Sequence, residues 1–430
     1  MGKKNLNASL PRLITAPAVK GQTAIVRVDY NVPLSKTNHG WIVADDRRLQ
    51  ASLETINFLR KNGAKTVLIS HLGRPKGQRL SHLSLAPIAK YLTTKFKIEC
   101  QFCNQVRGPI PLQTIERMKI GDVLLLENLR FETGEKKNDM QFAKDLAKLG
   151  NIFINEAFAN CHRQDASIVG LPKYLPAYAG FNLIKEIKTL TQLLTQPKRP
   201  FVVIVGGAKI ADKVSAIRHL AQLADSVLLG GVVANDFLKA DGLEVYRSLI
   251  EDSQQTQGQD FIALAQQLLE AHRLEKIMLD KYIPLPKIMY PIDMIAAGNI
   301  EEKVQAKTQV INLIKDMTDK EEQVQLVYAD IGPKTTQLYQ KVLAEAGTVF
   351  WNGPMGVWEN PLFSHGTRSL AITIARSSSL FSVAGGGDTI AALDDMGLTQ
   401  KFSYVSTGGG ASLEFLSGQQ LPGIKVIPKT

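Results

Sequence analysis

Phe381-Ser-Val-Ala-Gly-Gly-Gly-Asp-Thr389 is an apolar run that stops in three glycines and then changes period. Leu380, Phe381 and Val383 read as a short strand, and Asp388 and Thr389 open a helix over Ile390 to Leu393. Strand, glycine turn and helix N-terminus in that order form the unit of a parallel α/β sheet. Glycine lets a ligand approach backbone N–H groups, and a helix start offers those groups to an anion. An Asp in such a place repels a phosphate unless a hard cation such as Mg²⁺ lies between them. The plainer alternative makes Asp388 an N-cap in a structural turn. The rest of the chain decides between the two.

Outward from that stretch the same pattern recurs. In the first half, strands are expected at 24–28, 66–69, 122–126 and 151–154. A helix is expected from Arg47 to Asn62, stopped by Gly63, and another carries Phe142, Leu146 and Leu149. Leu183, Ile187, Leu190 and Leu194 stripe one further helix, which Pro197-Lys-Arg-Pro200 breaks. The second half restarts with strands at 201–205, 226–229, 276–279, 324–328, 348–351 and 380–384, and a helix over 251–272. Near-continuous apolar strands alternating with amphipathic helices imply parallel sheets covered on both faces. The expected architecture is two doubly wound, Rossmann-like α/β domains, 1–182 and 199–410, joined by a hinge helix at 183–198. Residues 1–20, polar with two prolines, are expected to be a poorly packed lead-in.

Composition narrows the function. The chain has 430 residues, enough for two cores, with 44% hydrophobic and 21% charged residues, as in globular proteins. Its net charge of +11 favours anionic ligands, yet no long Lys/Arg run marks a nucleic-acid tail. Cys100, Cys103 and Cys161 are too few for a disulfide framework, and a lone Cys100-Gln-Phe-Cys103 argues for free thiols rather than zinc or redox chemistry. The N-terminus lacks the apolar core of a signal peptide, and no apolar run approaches the ~18 residues that span a bilayer. The expectation is a cytoplasmic protein without a membrane or nucleic-acid partner.

Ligands of open parallel sheets bind beyond the carboxyl ends of strands. In the first half those ends carry Asp29-Tyr-Asn31, Ser70-His71-Leu-Gly-Arg74, Glu127-Asn-Leu-Arg130 and Asn155 through His162-Arg163, while Arg47 and Arg48 open a helix. Arginines and a histidine converging on one crevice make an anion pocket. Any single Arg is more often a solvated surface charge, but four at strand ends or helix starts are harder to assign so. In the second half the ends carry glycine: Gly206-Gly207-Ala-Lys209, Gly230-Gly231, Ile331-Gly-Pro-Lys334, Asn352-Gly-Pro-Met-Gly356, Gly385-Gly386-Gly387 and Thr407-Gly-Gly-Gly410. Lys209 and Lys213 are four apart, on one helix face. Neither a Walker loop nor G-x-G-x-x-G occurs, and no Ser-His-Asp set, H-E-x-x-H motif or paired carboxylates stand out. An anion pocket in one domain and a phosphate cradle in the other imply phosphoryl transfer across a cleft.

With these residues in view, the chain closely resembles the phosphoglycerate kinase family over essentially its whole length. The resemblance rests on Val26-Arg-Val-Asp29-Tyr-Asn31-Val-Pro33, Ser70-His-Leu-Gly-Arg-Pro75, Glu127-Asn-Leu-Arg-Phe131, His162-Arg163, Gly206-Gly-Ala-Lys-Ile-Ala-Asp-Lys213, Trp351-Asn-Gly-Pro-Met-Gly356, Gly385-Gly-Gly-Asp-Thr389 and Ser406 to Glu414. It implies reversible transfer of the acyl phosphate of 1,3-bisphosphoglycerate to Mg-ADP, giving 3-phosphoglycerate and ATP. It also implies a monomer that closes like a hinge, with residues 411–430 returning to the first domain. On that pattern Asp29, Asn31, Arg48, His71, Arg74, Arg130 and Arg163 hold phosphoglycerate. Gly207, Lys209, Lys213, Lys334, Asn352, Gly386, Gly387, Asp388 and Thr389 hold the nucleotide, with Asp388 on Mg²⁺. Arg48 and Lys213 form the catalytic pair that stabilises the phosphoryl group in flight.

Four departures from the family's usual pattern are read from the same segments. Lys334 stands where Glu usually follows Ile-Gly-Pro, and an ammonium cannot accept ribose hydroxyl hydrogen bonds. Val232 replaces a third glycine near the adenine, Glu156 stands for Asp, and Asp165 adds negative charge near the anion pocket. The competing readings are a relative with weakened catalysis serving in nucleotide binding or regulation, and a nucleic-acid binder suggested by charge alone. The phosphoryl path is intact in the sequence, which favours the active kinase.

Overall fold

The computed structural model describes residues 10–38, 40–211, 213–251, 260–313 and 325–429. The chain divides into two compact units, Met1–Thr189 with Gln420–Thr430, and Leu190–Gln419. The division falls inside the helix Phe181–Thr195, and the short helix Gly410–Leu416 belongs to the second unit.

The first unit is built on six parallel strands. Edge to edge they are Cys100–Cys103, Val123–Leu126, Lys65–Ile69, Thr23–Arg27, Ile152–Asn155 and Ala177–Ala179. Alternate residues point to opposite faces and feed separate cores. Ala24, Val26, Leu68 and Ile154 pack on one side with Leu49, Ile56 and Leu59 of the helix Arg47–Lys61. Ile25, Val67, Leu124 and Phe153 pack on the other with Phe142 and Leu146. The helix Met140–Ala147 starts because Asp139 accepts the Phe142 N–H at 2.7 Å. Arg47–Lys61 ends before Gly63, whose φ of +79° suits glycine. Thr23–Arg27 lies between the second and fifth strands of the unit, so the chain reverses direction across the sheet beside it.

Residues 10–20 are not the loose lead-in that their composition implies. Pro11 bridges Lys429, Leu13 bridges Ala179, and Ile14 is buried. Pro11 sits at a sheet edge and Pro17 in the first turn of the helix Ala16–Val19, where a missing N–H costs no hydrogen bond.

The second unit repeats the design with Ile288–Met289, Ser226–Leu229, Phe201–Val205, Thr348–Asn352, Phe381–Gly385 and Tyr404–Val405, again all parallel. Its core sets Val202, Ile204, Val349 and Trp351 against Tyr339 and Leu343 of the helix Pro333–Ala344 and Leu370 and Ile374 of His365–Arg376. Two expected strands lie elsewhere. Lys276–Leu279 pairs antiparallel with Ile283–Pro286 as an outlying hairpin. The strand expected at 324–328 is Val327–Ile331, in a three-stranded antiparallel sheet with Asp293–Ala297 and Gln309–Asn312. A run of four apolar residues looks the same in a hairpin and in a sheet centre. The helix expected over 251–272 is Phe261–Ala271, with residues 252–259 outside the described residues. The opening stretch forms the strand Phe381–Gly385 and the helix Gly387–Asp395.

Candidate functional site

The first unit gathers its cations where the chain reverses across the sheet. Asp29 and Asn31 follow the strand Thr23–Arg27. Arg48 reaches both, with Nη1 2.9 Å from Asp29 Oδ2 and 2.9 Å from the Asn31 carbonyl. Asn31 Oδ1 accepts the Gly73 N–H at 2.9 Å, tying the first loop to the one that carries His71 and Arg74. His71 is buried; burial first, then Arg27, Arg130, Arg163 and Arg48, hold its imidazole well below the ordinary histidine range. Arg130 is only 7% exposed, and its Nη1 donates to the Gly73 carbonyl at 2.7 Å while its Nε has no acceptor. Arg163 Nη1 lies 3.5 Å from His71 Nε2. A cavity of ≈ 550 Å³ opens here, lined by Arg74, Arg130 and Arg163 together with Lys76, Lys136 and Lys137.

Asp165, noted as an added negative charge, lies 3.7 Å from Arg130 Nη2 and 3.1 Å from Lys136 Nζ, so it partly neutralises that wall. Glu156 does not face the pocket. Its carboxylate accepts from Thr55 Oγ1 at 2.6 Å and the Asn182 N–H at 3.0 Å, and so caps the helix Phe181–Thr195. Three residues that sequence reasoning passed over support the site from behind: Arg27, Glu135 and Ser167, all fully buried.

In the second unit the glycines divide into two kinds. A Cβ on Gly206 would lie 2.0 Å from the Pro354 carbonyl oxygen, one on Gly353 2.1 Å from the Gly206 oxygen, and one on Gly231 2.5 Å from the Gly207 nitrogen. These glycines are needed because three chain segments cross in contact, with the Gly207 N–H donating to the Pro354 carbonyl at 2.7 Å. Gly386 and Gly387 differ. Gly387 has nothing near its missing Cβ, and Gly386, at φ +90°, faces the Asn352 amide. Asn352 is buried, yet its Nδ2 has no acceptor. Thr389 is buried too, its Oγ1 accepting the Gly353 N–H at 2.6 Å, while Asp388 is exposed at the helix N-terminus. The open backbone, an amide donor and a carboxylate thus meet at one spot.

Beside it lies a cavity of ≈ 460 Å³ whose lining includes Gly207, Gly231, Val232, Tyr328, Glu359 and Asp388. Lys213 Nζ turns back to the Lys209 carbonyl at 3.3 Å, and Lys209 is exposed. Lys334 is not among the lining residues. It is exposed in the first turn of Pro333–Ala344, where its N–H donates to Asp293. Besides Asp330 and Asp388, the cavity is lined by the carboxylate of Glu359, a residue the sequence reading omitted; it follows Trp351-Asn-Gly-Pro-Met-Gly356 by three positions, and that proximity was its only signal. Among the described residues no cluster of three or more His, Cys, Asp or Glu could hold a metal alone. No described helix is long and apolar enough to cross a membrane.

The phosphoglycerate kinase family model matches residues 14–419. Relatives of that name from Thermosipho africanus and Moorella thermoacetica are 42% and 41% identical over 411 and 409 residues; both alignments cover 95% of this chain, and 96% and 97% of those proteins. Two solved structures share the fold. Phosphoglycerate kinase from Coxiella burnetii has a TM-score of 0.78 at 36% identity, and that from Pyrococcus horikoshii OT3 0.79 at 30%. Each covers 95% of this chain, and 96% of the matched structure is covered.

Proposed function

The chain belongs to the phosphoglycerate kinase family, and from that premise we propose how its two units divide the labour. The enzyme transfers a phosphoryl group reversibly between 1,3-bisphosphoglycerate and ADP, giving 3-phosphoglycerate and ATP. Phosphoglycerate is held in the first unit by Asp29, Asn31, Arg48, His71, Arg74, Arg130 and Arg163. The nucleotide lies in the second, its phosphates over Gly386 and Gly387 and near Lys209, Lys213, Asn352 and Thr389. Its ribose reaches Glu359, whose carboxylate accepts from hydroxyls as the ammonium of Lys334 cannot.

One observation carries this division: each site keeps a buried N–H with no acceptor on the protein, Arg130 Nε in the first and Asn352 Nδ2 in the second. Buried donors are almost always paired, so an anionic ligand is the natural partner.

The chemistry needs little from the protein beyond placement. In the ATP-consuming direction the nucleophile is the carboxylate of 3-phosphoglycerate, already ionised near neutral pH, so no general base is required. Arg48 and Lys213 neutralise charge on the phosphoryl group during transfer. The residues fit Mg²⁺: one exposed carboxylate, Asp388, beside a phosphate cradle suits an ion that keeps its remaining coordination for phosphates and water. When bound, Mg²⁺ neutralises phosphate charge. Transfer requires both substrates to meet and water to be excluded, so the proposal includes a hinge-like closure within a cytoplasmic monomer.

A coupled assay supplied with 3-phosphoglycerate, ATP and Mg²⁺ tests this reading. Steady formation of 1,3-bisphosphoglycerate that stops on chelation is expected. Turnover indifferent to chelation contradicts the role given to Asp388.

A further inference from the structure

Arg27 lies inside a central strand and is fully buried, where a guanidinium needs an evident reason to be. Each of its three nitrogens makes a hydrogen bond. Nε donates to Ser167 Oγ at 2.9 Å, Nη1 donates to the Val28 carbonyl, and Nη2 lies 2.9 Å from His71 Nδ1. Ser167 in turn donates from Oγ to Glu135 Oε1 at 2.6 Å, and its backbone N–H donates to Oε2 at 2.9 Å. A buried chain therefore runs from Glu135 through Ser167 and Arg27 to the imidazole.

The direction of the last link follows from chemistry. Arginine has donors and no acceptor, so His71 Nδ1 must present its lone pair. Neutral imidazole then carries its proton on Nε2. That nitrogen lies 3.5 Å from Arg163 Nη1, which is also a donor, so the two N–H groups cannot satisfy each other. They are satisfied together by an acceptor that both can reach.

We propose that Arg27, held by Ser167 and Glu135, is a positioning residue that fixes His71 as its Nε2–H tautomer, making the imidazole a neutral donor beside Arg163 for a carboxylate or phosphate oxygen of the substrate. This rests on placing phosphoglycerate in this pocket. The neutral donor has a purpose among so many cations. It supplies a directed hydrogen bond without adding another positive charge to Arg27, Arg130 and Arg163. Protonation would set an Nδ1–H against the Arg27 guanidinium, and the surrounding arginines oppose it in the same sense.

Long-range ¹H–¹⁵N spectra of the full chain labelled at histidine test the tautomer directly. His71 of the unliganded protein is expected to show a protonated Nε2 and an unprotonated Nδ1, unchanged as pH falls past the ordinary histidine value of about 6.5. An Nδ1–H signature, or protonation near that value, overturns the proposal whatever the substrate is. In Arg27→Lys the spectrum is expected to shift toward a tautomer mixture, with KM for 3-phosphoglycerate rising roughly tenfold, the value of one charge-assisted hydrogen bond, and kcat changing less. An unchanged tautomer in that variant also overturns it. A shifted tautomer with unchanged KM leaves the tautomer assignment standing and refutes the placement of phosphoglycerate against His71. Should Arg27→Lys fail to fold, Ser167→Ala, which removes one link without touching the strand, is expected to give a smaller shift of both readouts in the same direction; no shift in it overturns the chain of support.

Discussion

Asp165→Asn is expected to tighten 3-phosphoglycerate binding, because Asp165 acts on the pocket by charge more than by geometry. Its Oδ2 lies 3.7 Å from Arg130 Nη2, too far for a hydrogen bond, and has no other hydrogen-bond partner. Arg130 is held instead by the Gly73 carbonyl at 2.7 Å. The Lys136 ammonium bonds Oδ1 at 3.1 Å, and an amide oxygen accepts that bond equally well. The substitution therefore removes a charge and leaves the positions in place. A ligand oxygen bonded to the far side of the guanidinium, ~3 Å from it, lies about 7 Å from the carboxylate. At an effective dielectric constant of about 40, unit charges at that separation repel by about 1 kcal/mol. KM for 3-phosphoglycerate should then fall about fivefold, with kcat little changed. Stability should drop by about 1–3 kcal/mol, since Arg130 loses a counter-ion. Initial rates with 3-phosphoglycerate varied at saturating Mg-ATP measure the effect, and the gain should shrink in about 0.5 M KCl as screening sets in. A KM that stays constant or rises at low salt refutes the reasoning, because it means that Asp165 holds Arg130 in place rather than opposing the substrate.

Lys213→Ala should cut kcat by roughly 10²–10³ with little change in either KM, as for loss of a group whose partner is charge in transit; an effect confined to KM contradicts that role. Glu359→Gln should weaken Mg-ADP binding about tenfold, the value of hydrogen bonds to a charged acceptor, while Lys334→Glu leaves it within about twofold; calorimetry giving the reverse order restores Lys334 to the nucleotide site. Burial pushes the Glu156 carboxyl up to about 7 in the folded chain. Its folded value exceeds its unfolded one, so its contribution to stability is full below the ordinary carboxylate range and is lost as pH rises through about 7. Urea unfolding should show the wild type losing roughly 3 kcal/mol more than Glu156→Gln between pH 5 and pH 8; parallel pH profiles rule this out.

How much of this was visible in the chain depended on whether a residue's partners are local. Asp29, Asn31, His71 and Arg74 stand just past buried apolar strands, and the end of a parallel strand is where ligands gather, so their grouping follows from order alone. Arg27 is only two residues before Asp29 but lies within the strand, and its partners Ser167 and His71 are 140 and 44 positions away, so nothing nearby signals its purpose. Glu359 was hidden by the opposite difficulty: sequence could not say which of the polar residues near Gly356 turns toward the cavity. The six glycine turns were visible and over-read. Gly206, Gly231 and Gly353 answer to backbone crossing backbone, Gly386 faces the Asn352 amide, and Gly387, Gly409 and Gly410 leave open main chain. Cys100–Cys103 drew notice as a thiol pair when its plainer identity was an edge strand of the first sheet, half-exposed and so without an unbroken apolar run.

The most direct test is residue-resolved amide NMR with each substrate added separately. Addition of 3-phosphoglycerate should move signals at Asn31, His71, Gly73 and Arg163 and leave Gly386–Thr389 still, and Mg-ADP should do the reverse. Shifts from 3-phosphoglycerate centred on the glycine turn, or from Mg-ADP centred on the arginine pocket, would contradict the assignment of one substrate to each unit.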